Sequence, residues 1–272
     1  MTISLHTGIR TATVSTAWTA WDAPFQLVVT DPWAMHHARL KITELVGAVT
    51  AAVDRRLPAA GRDARLMELL GGAPDAAPRP FPYGITAAPA DADVHRPAPT
   101  PWQQAFTAAG RSRDGWTVSP GPAAPALLAQ RCAELVAESF SCGVLVAFDD
   151  HVATSGLAPV GGWRVALRDA PGADPEIVAI DGGAVSSVSC VRPGRPDRLQ
   201  PVVVAASGRT VVPEWRSVAV AAADAASASA ACTGALLRGA AAPAWLDALG
   251  LPACLEDVHG VAHAVGNWPV PA

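Results

Sequence analysis

The chain has 272 residues, 50% of them hydrophobic and 16% charged, with a formal net charge of −4 and a mean hydropathy of +0.25. This length and apolar content describe a folded protein able to bury a sizeable core and exclude a disordered one. An acidic balance with no basic cluster excludes a nucleic-acid partner, and no run approaches the roughly 18 uninterrupted apolar residues of a membrane span.

The opening stretch MTISLHTGIRTATVSTAW has neither a signal-peptide core nor a lipid-attachment cysteine, so a cytoplasmic location is expected. FQLVVTD (25–31) reads as a strand ending on an Asp-Pro turn. A helix over 33–57 follows, with Asp31 as its N-cap, Pro32 at its first position and apolar residues at helical spacing. A shorter helix is expected over 62–70. Residues 73–101 hold eight prolines and read as an irregular surface excursion. WQQAFTAAGR reads as a helix closed by Gly110, and PALLAQRCAELVAESF as a longer one. CGVLVAF is a strand buried on both faces, followed by strands in GGWRVALRD and EIVAIDGGAV. PVVVAAS and TVVPEWRSVAVAA form a strand pair turning at Gly208. Helices near 224–238 and 243–249 and short strands in CLEDV and HAVGNWP complete the chain.

Strands and helices mix without strict alternation, which predicts an α+β fold with a mixed sheet and flanking helices. A single domain is expected over 1–272, helical to about residue 140 and strand-rich from about 141. Five scattered cysteines without Cys-x-x-Cys spacing read as reduced thiols, not as a disulfide framework or a zinc site. Arginine outnumbers lysine nineteen to one, with Lys41 alone, the usage of a GC-rich, actinobacterial-type genome.

Chemistry concentrates at a few places. Asp149, Asp150 and His151 close a strand, where two carboxylates and an imidazole can act as acid and base or form a polar turn. Adjacent carboxylates predict a favoured imidazolium at His151. Thr154, Ser155 and Gly156 make a small polar turn whose backbone N–H groups suit a phosphate. Ser186 and Ser187 follow a glycine pair, outside any nucleophile-elbow pattern. His259 and His263 are four apart in a strand-and-turn context that disfavours a metal pair, and no metal ligands are assigned. The nine tryptophans read mainly as core and loop anchors.

In order, these segments resemble the ApbE-type flavin transferases, which move FMN from FAD onto a Thr or Ser of a target protein using Mg²⁺. CGVLVAFDDHVATSG with GGWRVALRDAP is similar to that family's GVLV-x-x-GGDIA-x-x-G strand pair and its glycine-tryptophan strand. AIDGGAVSSVSCVRP is similar to the strand carrying its ATS motif. VVVAASGRTVVPEWRSVAV resembles its His-Ile-Asp-Pro-x-Thr-Gly segment, and AAADAASASAACTG its AD-x-L-x-TA helix start. VTAAVDRRLPAAGRDARLMELL and AFTAAGRSRDGWTVSPG resemble N-terminal segments of the family more loosely. The resemblance implies the flavin-transferase fold, FAD and Mg²⁺ as cofactors, and a central cleft for a small-molecule ligand. It implies cofactor-binding positions at Thr154, Ser155, Gly156, Ser186, Ser187, Ser229 and Thr233.

The chain departs from the family at several of those positions. Asp149, Asp150 and His151 stand for Gly-Gly-Asp, the His-Ile-Asp-Pro segment reads QPVVVAASG, and the lysine helix has no lysine. Ser229 is expected in the place of the metal-binding carboxylate of the AD-x-L-x-TA motif, with Thr233 as its Thr and Asp224 five residues upstream. Mg²⁺ needs hard oxygen ligands, so the cofactor stays open. Three functions follow. The first is an enzyme that has lost Mg²⁺-dependent transfer and reuses the cleft on a small molecule, in bacterial specialised metabolism, with Asp149, Asp150 and His151 as its catalytic groups. The second is an active FMN transferase with a rebuilt cation site. The third is a non-catalytic pseudoenzyme that binds a ligand or partner. The oligomeric state is left open.

Overall fold

The computed structural model describes residues 13–21, 23–52, 65–66, 68–70, 78–88, 111–112, 115–118, 123–167, 176–192, 195–199, 202–204 and 209–269. It opens with a hairpin of β1 (Val14–Ala20) and β2 (Ala23–Val29), then a short 3-10 turn and helix α1 (Met35–Ala52). Asp31 caps that turn, accepting from the Trp33 amide. Next come β3 (Ile85–Ala87), β4 (Arg111–Ser112), β5 (Gly115–Val118) and helix α2 (Ala123–Phe140). The strand-rich part carries β6 (Val144–Phe148), β7 (His151–Ser155), β8 (Trp163–Leu167), β9 (Glu176–Ile180), β10 (Ala184–Ser189), β11 (Val191–Arg192), β12 (Arg195–Leu199), β13 (Val202–Val204), β14 (Arg209–Val211) and β15 (Trp215–Ala222). Helices α3 (Ala225–Arg238) and α4 (Ala242–Ala248) and the hairpin β16 (Ala253–Asp257) and β17 (Ala262–Val265) close the chain.

The α+β class holds. The large sheet has eight strands in the order β1-β2-β6-β7-β10-β15-β16-β17. Every pairing in it is antiparallel. The mixed character expected from sequence is confined to a four-stranded sheet, where β13 runs parallel to β5. The helix expected over 102–111 lies outside the described residues, except that Arg111 opens β4. Gly208 and residues 53–64 also lie outside them.

Alternation along the strands gives the large sheet two apolar faces. Phe25, Leu27 and Val29 of β2 and Val144, Val146 and Phe148 of β6 pack against α1 and α2. Val28, Leu145 and Ala147 point the other way, onto the three-stranded sheet β3-β9-β8, through Trp163, Val165, Val178 and Ile180. Val218, Val220 and Ala222 of β15 pack under α3 and α4, while Ala219 and Ala221 face the small sheet. The molecule is thus layered as helices, large sheet and small sheet.

One turn needs glycine to close. A Cβ at Gly182, between β9 and β10, would sit 2.7 Å from Tyr83 Cε1, and one at Gly183 (φ +76°) 2.6 Å from the Ala222 carbonyl oxygen. The segment carrying Phe81 and Tyr83 therefore lies directly on bare backbone. Phe25, fully buried, stacks on Trp18 with ring centroids 4.6 Å apart and meets Phe148 at 5.4 Å. Phe25→Ala is expected to cost about 3–5 kcal/mol, read as a lower urea midpoint at unchanged m-value. A cost under about 1 kcal/mol would mean that Phe25 is not a core side chain.

Candidate functional site

Helix α3 explains the alanine run. Ala225, Ala228, Ala231 and Ala235 are fully buried, at the spacing of one helix face, and their small side chains let the helix lie close on β10 and β15. The Cys232 thiol, eight residues in from the N-cap, donates to the Ser186 carbonyl at 3.1 Å.

The N-terminus of α3 holds the densest polar cluster around this helix. Asp224 is the N-cap, in extended conformation, and is 7% exposed. Its Oδ1 accepts from the Ser227 amide at 2.8 Å, the bond that satisfies an otherwise orphaned helix donor. Its Oδ2 accepts from the Ser227 hydroxyl at 2.9 Å and from Arg79 Nε at 2.5 Å. The Arg79 amide donates to Ser227 Oγ at 2.9 Å, and the Ala225 amide donates to Gln130 Oε1 of α2 at 3.0 Å. Sequence reasoning did not select Arg79, Gln130 or Ser227. Arg79 falls in the proline-rich excursion, and the available signal was an Asp ahead of a run of small helical residues, which marks an N-cap.

The helix begins at Ala225, with Asp224 as its N-cap five residues before Ser229. Ser229 lies in the second turn, about 7 Å further along the axis, and is 3% exposed. Thr233 is a turn beyond and half-buried. A carboxylate is present at the helix start after all, but both of its oxygens are bonded within the protein.

Asp149, Asp150 and His151 divide by environment. Asp149 and Asp150 form the β6–β7 turn; Asp149 has φ +55° and is half-buried, and Asp150 is exposed. Burial first, then the neighbouring Asp150 carboxylate, pushes the Asp149 carboxyl well above its ordinary range. His151 begins β7 and turns inward with 7% exposure, its Nδ1 sharing a 2.9 Å hydrogen bond with Ser186 Oγ. Burial pulls its pKa down from 6.5 to about 4. The expected imidazolium is therefore reversed: the ring meets a hydroxyl in the core, not the carboxylates, and is neutral near pH 7.

The remaining positions are largely committed to the fold. Thr154 gives both its amide, at 3.0 Å, and its hydroxyl, at 2.8 Å, to the Gly183 carbonyl. Ser155 pairs with Val144 at the end of β7. Gly156 (φ +72°) packs so closely that a Cβ would lie 2.3 Å from the Cys142 carbonyl oxygen. The Ser187 amide donates to the Asp150 carbonyl at 2.9 Å. Four strand steps, about 13 Å, separate His151 from Ser155. The acid–base turn and the Thr154–Gly156 turn thus lie at opposite ends of β7. The α3 N-terminus follows the end of β15 that is level with Ala153 and Ala184, away from the acid–base turn.

His259 sits in the β16–β17 turn and His263 in β17. Asp257 gathers them structurally, accepting from the His259 and Val261 amides at 2.8 and 2.9 Å and facing His263 Nε2 at 3.3 Å. Four cysteines, Cys132, Cys142, Cys190 and Cys232, are buried free thiols. Among the described residues no three His, Cys, Asp or Glu side chains converge to hold a metal. Mg²⁺ asks for about six oxygen ligands near 2.0–2.1 Å; among the described residues no set of carboxylates gathers around Asp224 to meet that demand. Among the described residues no helix is long and apolar enough to cross a membrane.

The layered fold is that of flavin transferases. It is similar to the flavin transferase ApbE from Vibrio cholerae, with a TM-score of 0.56 at 14% identity over 93% of this chain and 97% of that one. It is also similar to the flavinyl transferase ApbE from Pseudomonas stutzeri, with a TM-score of 0.57 at 15% identity over 93% and 95%. An ApbE protein from Thermotoga maritima gives 0.56 at 13% identity over 93% and 97%. The ApbE family model matches residues 64–255, well over half of the sequence, and the chain belongs to the ApbE family. Among curated proteins nothing matches it.

The buried His151 predicts an acid weakness. Above pH 6.5 the ring is neutral folded and unfolded and contributes nothing. Between 6.5 and about 4 the unfolded chain takes a proton that the native ring refuses, so stability falls as pH falls. The full loss is about 3 kcal/mol. Asp149 acts in the opposite sense, so the comparison is with His151→Gln, which keeps Asp149 and a polar partner for Ser186. Denaturant unfolding should show the wild type losing about 2–3 kcal/mol more than the variant between pH 7 and pH 4. Parallel pH curves would place the ring in solvent.

Proposed function

We propose that this ApbE-family protein has lost Mg²⁺-dependent FMN transfer and acts on a small molecule by acid–base chemistry at Asp149 and Asp150. The observation that carries the reading is two adjacent carboxylates at the β6–β7 turn, Asp149 half-buried and Asp150 exposed. Burial, then Asp150 beside it, raises the Asp149 carboxyl, the direction that general-acid work requires. Asp150, exposed at the same turn, is the member that meets solvent or substrate. His151 is in this reading a positioning residue, holding Ser186 and the start of β7. The support for lost transfer is Ser229, which the resemblance puts in the place of the metal-binding carboxylate.

A second reading, an active transferase with a rebuilt cation site, is favoured by one observation: a carboxylate, Asp224, stands at the start of α3, five residues before Ser229. Incubation with FAD, Mg²⁺ and a Thr-containing acceptor domain separates the two. The first reading expects no FMN-sized mass increase on the acceptor. Covalent flavin that disappears with EDTA would establish the second.

Stability offers an independent check on Asp149. A carboxyl with a raised native pKa costs stability where the native state ionises it, and the cost fades as pH falls through that pKa. Asn fits the same volume and tolerates φ +55°. Asp149→Asn should therefore melt higher than the wild type at pH 8, with the gap closing toward pH 4. Equal melting at both pH values would remove the buried-acid role.

A further inference from the structure

We infer that the solvent face of α1 is a self-association surface, on which a second copy of this chain docks its own α1 in antiparallel orientation. Alternating steps of four and three residues from Trp33 reach His37, Leu40, Glu44, Gly47 and Ala51, and every one of them is exposed. That alternation is the spacing of a helix–helix seam. Trp33, in the 3-10 turn that leads into the helix, is 89% exposed, and Leu40 is 56% exposed. The face committed to the core is the other one, through Ala38, Ile42 and Val49. A large indole left in water is the residue type that anchors protein interfaces.

The order of sizes and charges along this stripe says what covers it. Bulk gathers in the first half, at Trp33, His37 and Leu40, and small residues in the second, at Gly47, Ala48 and Ala51. A Cβ on Gly47 would meet nothing within 4 Å outside its own helix, so the second half presents a hollow. A twofold axis beside Ile42 and Thr43 sets Trp33 over Ala51 of the second copy and His37 over its Gly47. Bulk then meets hollow at both ends, as a self-complementary interface requires. The same axis brings Lys41 of each copy beside Glu44 of the other. Among the described residues neither of these forms an ion pair within its own chain. A parallel pairing would instead oppose Trp33 to Trp33 and Lys41 to Lys41. The loop beside the Trp33 turn extends the apolar rim. A Cβ on Gly143 would strike both the Leu157 carbonyl and the Thr30 methyl, and Leu157 and Val160 are 87% and 84% exposed. One face of an 18-residue helix, about 27 Å long, falls short of the roughly 800 Å² per partner of a standard interface. The dimer is therefore a reversible one, with a Kd of about micromolar order.

The test is sedimentation velocity of the full chain from about 1 to about 200 µM, with melting curves at the dilute end to establish that each variant is folded. The wild type is expected to pass from monomer to dimer across that range. Trp33→Ala removes an exposed side chain and should raise the dimer Kd at least about tenfold. Gly47→Gln fills the hollow while improving helix propensity, so it should weaken the dimer although the monomer melts no lower. Lys41→Glu and Glu44→Lys should each weaken self-association about three- to tenfold. An equimolar mixture of those two should form a heterodimer tighter than either homodimer. A wild type that stays monomeric throughout would overturn the inference. So would a dimer indifferent to Trp33→Ala and Gly47→Gln, which would place the contact on another face, and so would a mixture that fails to recover.

Discussion

The structure depends on burying both faces of one antiparallel sheet. β2 and β6 have no solvent side: alternate residues go to the helices and to the small sheet. Such strands read as unbroken apolar runs, and they force every polar group nearby to find a partner inside the protein or retreat to a turn. Asp149 and Asp150 take the second course, sitting where the chain leaves the sheet. His151, at the first position inside β7, takes the first, and Ser186 on the neighbouring strand is the partner available at its level. Adjacent residues in the sequence are thereby given opposite chemistry.

Much of this architecture was legible from residues alone. The β-branched run 25–31 and the strand CGVLVAF fall where pattern puts them, and the first long helix follows Asp31 as expected, although Asp31 caps the 3-10 turn before it and not the helix itself. β1 escaped because in VSTAWTA the inward positions Val14, Thr16, Trp18 and Ala20 alternate with Ser15, Ala17 and Thr19, a contrast in polarity too small to stand out. The sheet directions were not readable, since a strand's pairing partner is a matter of topology and not of its own composition. Family membership came from the order of segments, each of them weak singly.

The site was less legible, for a physical reason. In AAADAASASAACTG nearly every side chain is small, so nothing fixes the register of a motif against it except where the helix begins. That start is decided by the Asp224 side chain bonding the Ser227 amide. Counting from it puts Asp224 at the cap and Ser229 in the second turn. Arg79 was beyond reach because its partner lies 145 positions away in sequence, and only the closed fold brings the two together. The charge state of His151 failed in the same way: two neighbouring carboxylates suggested an imidazolium, but a strand turns the ring away from them and into the core.

The bare backbone at Gly182 carries a consequence at a distance. The aromatic ring of Tyr83 rests where any other residue would put its first carbon, and the same strip of chain holds Arg79 over Asp224. A substitution at Gly182 would lift that strip without touching a charged group. A change at this uncharged turn would then be felt as a change in electrostatics at the helix start.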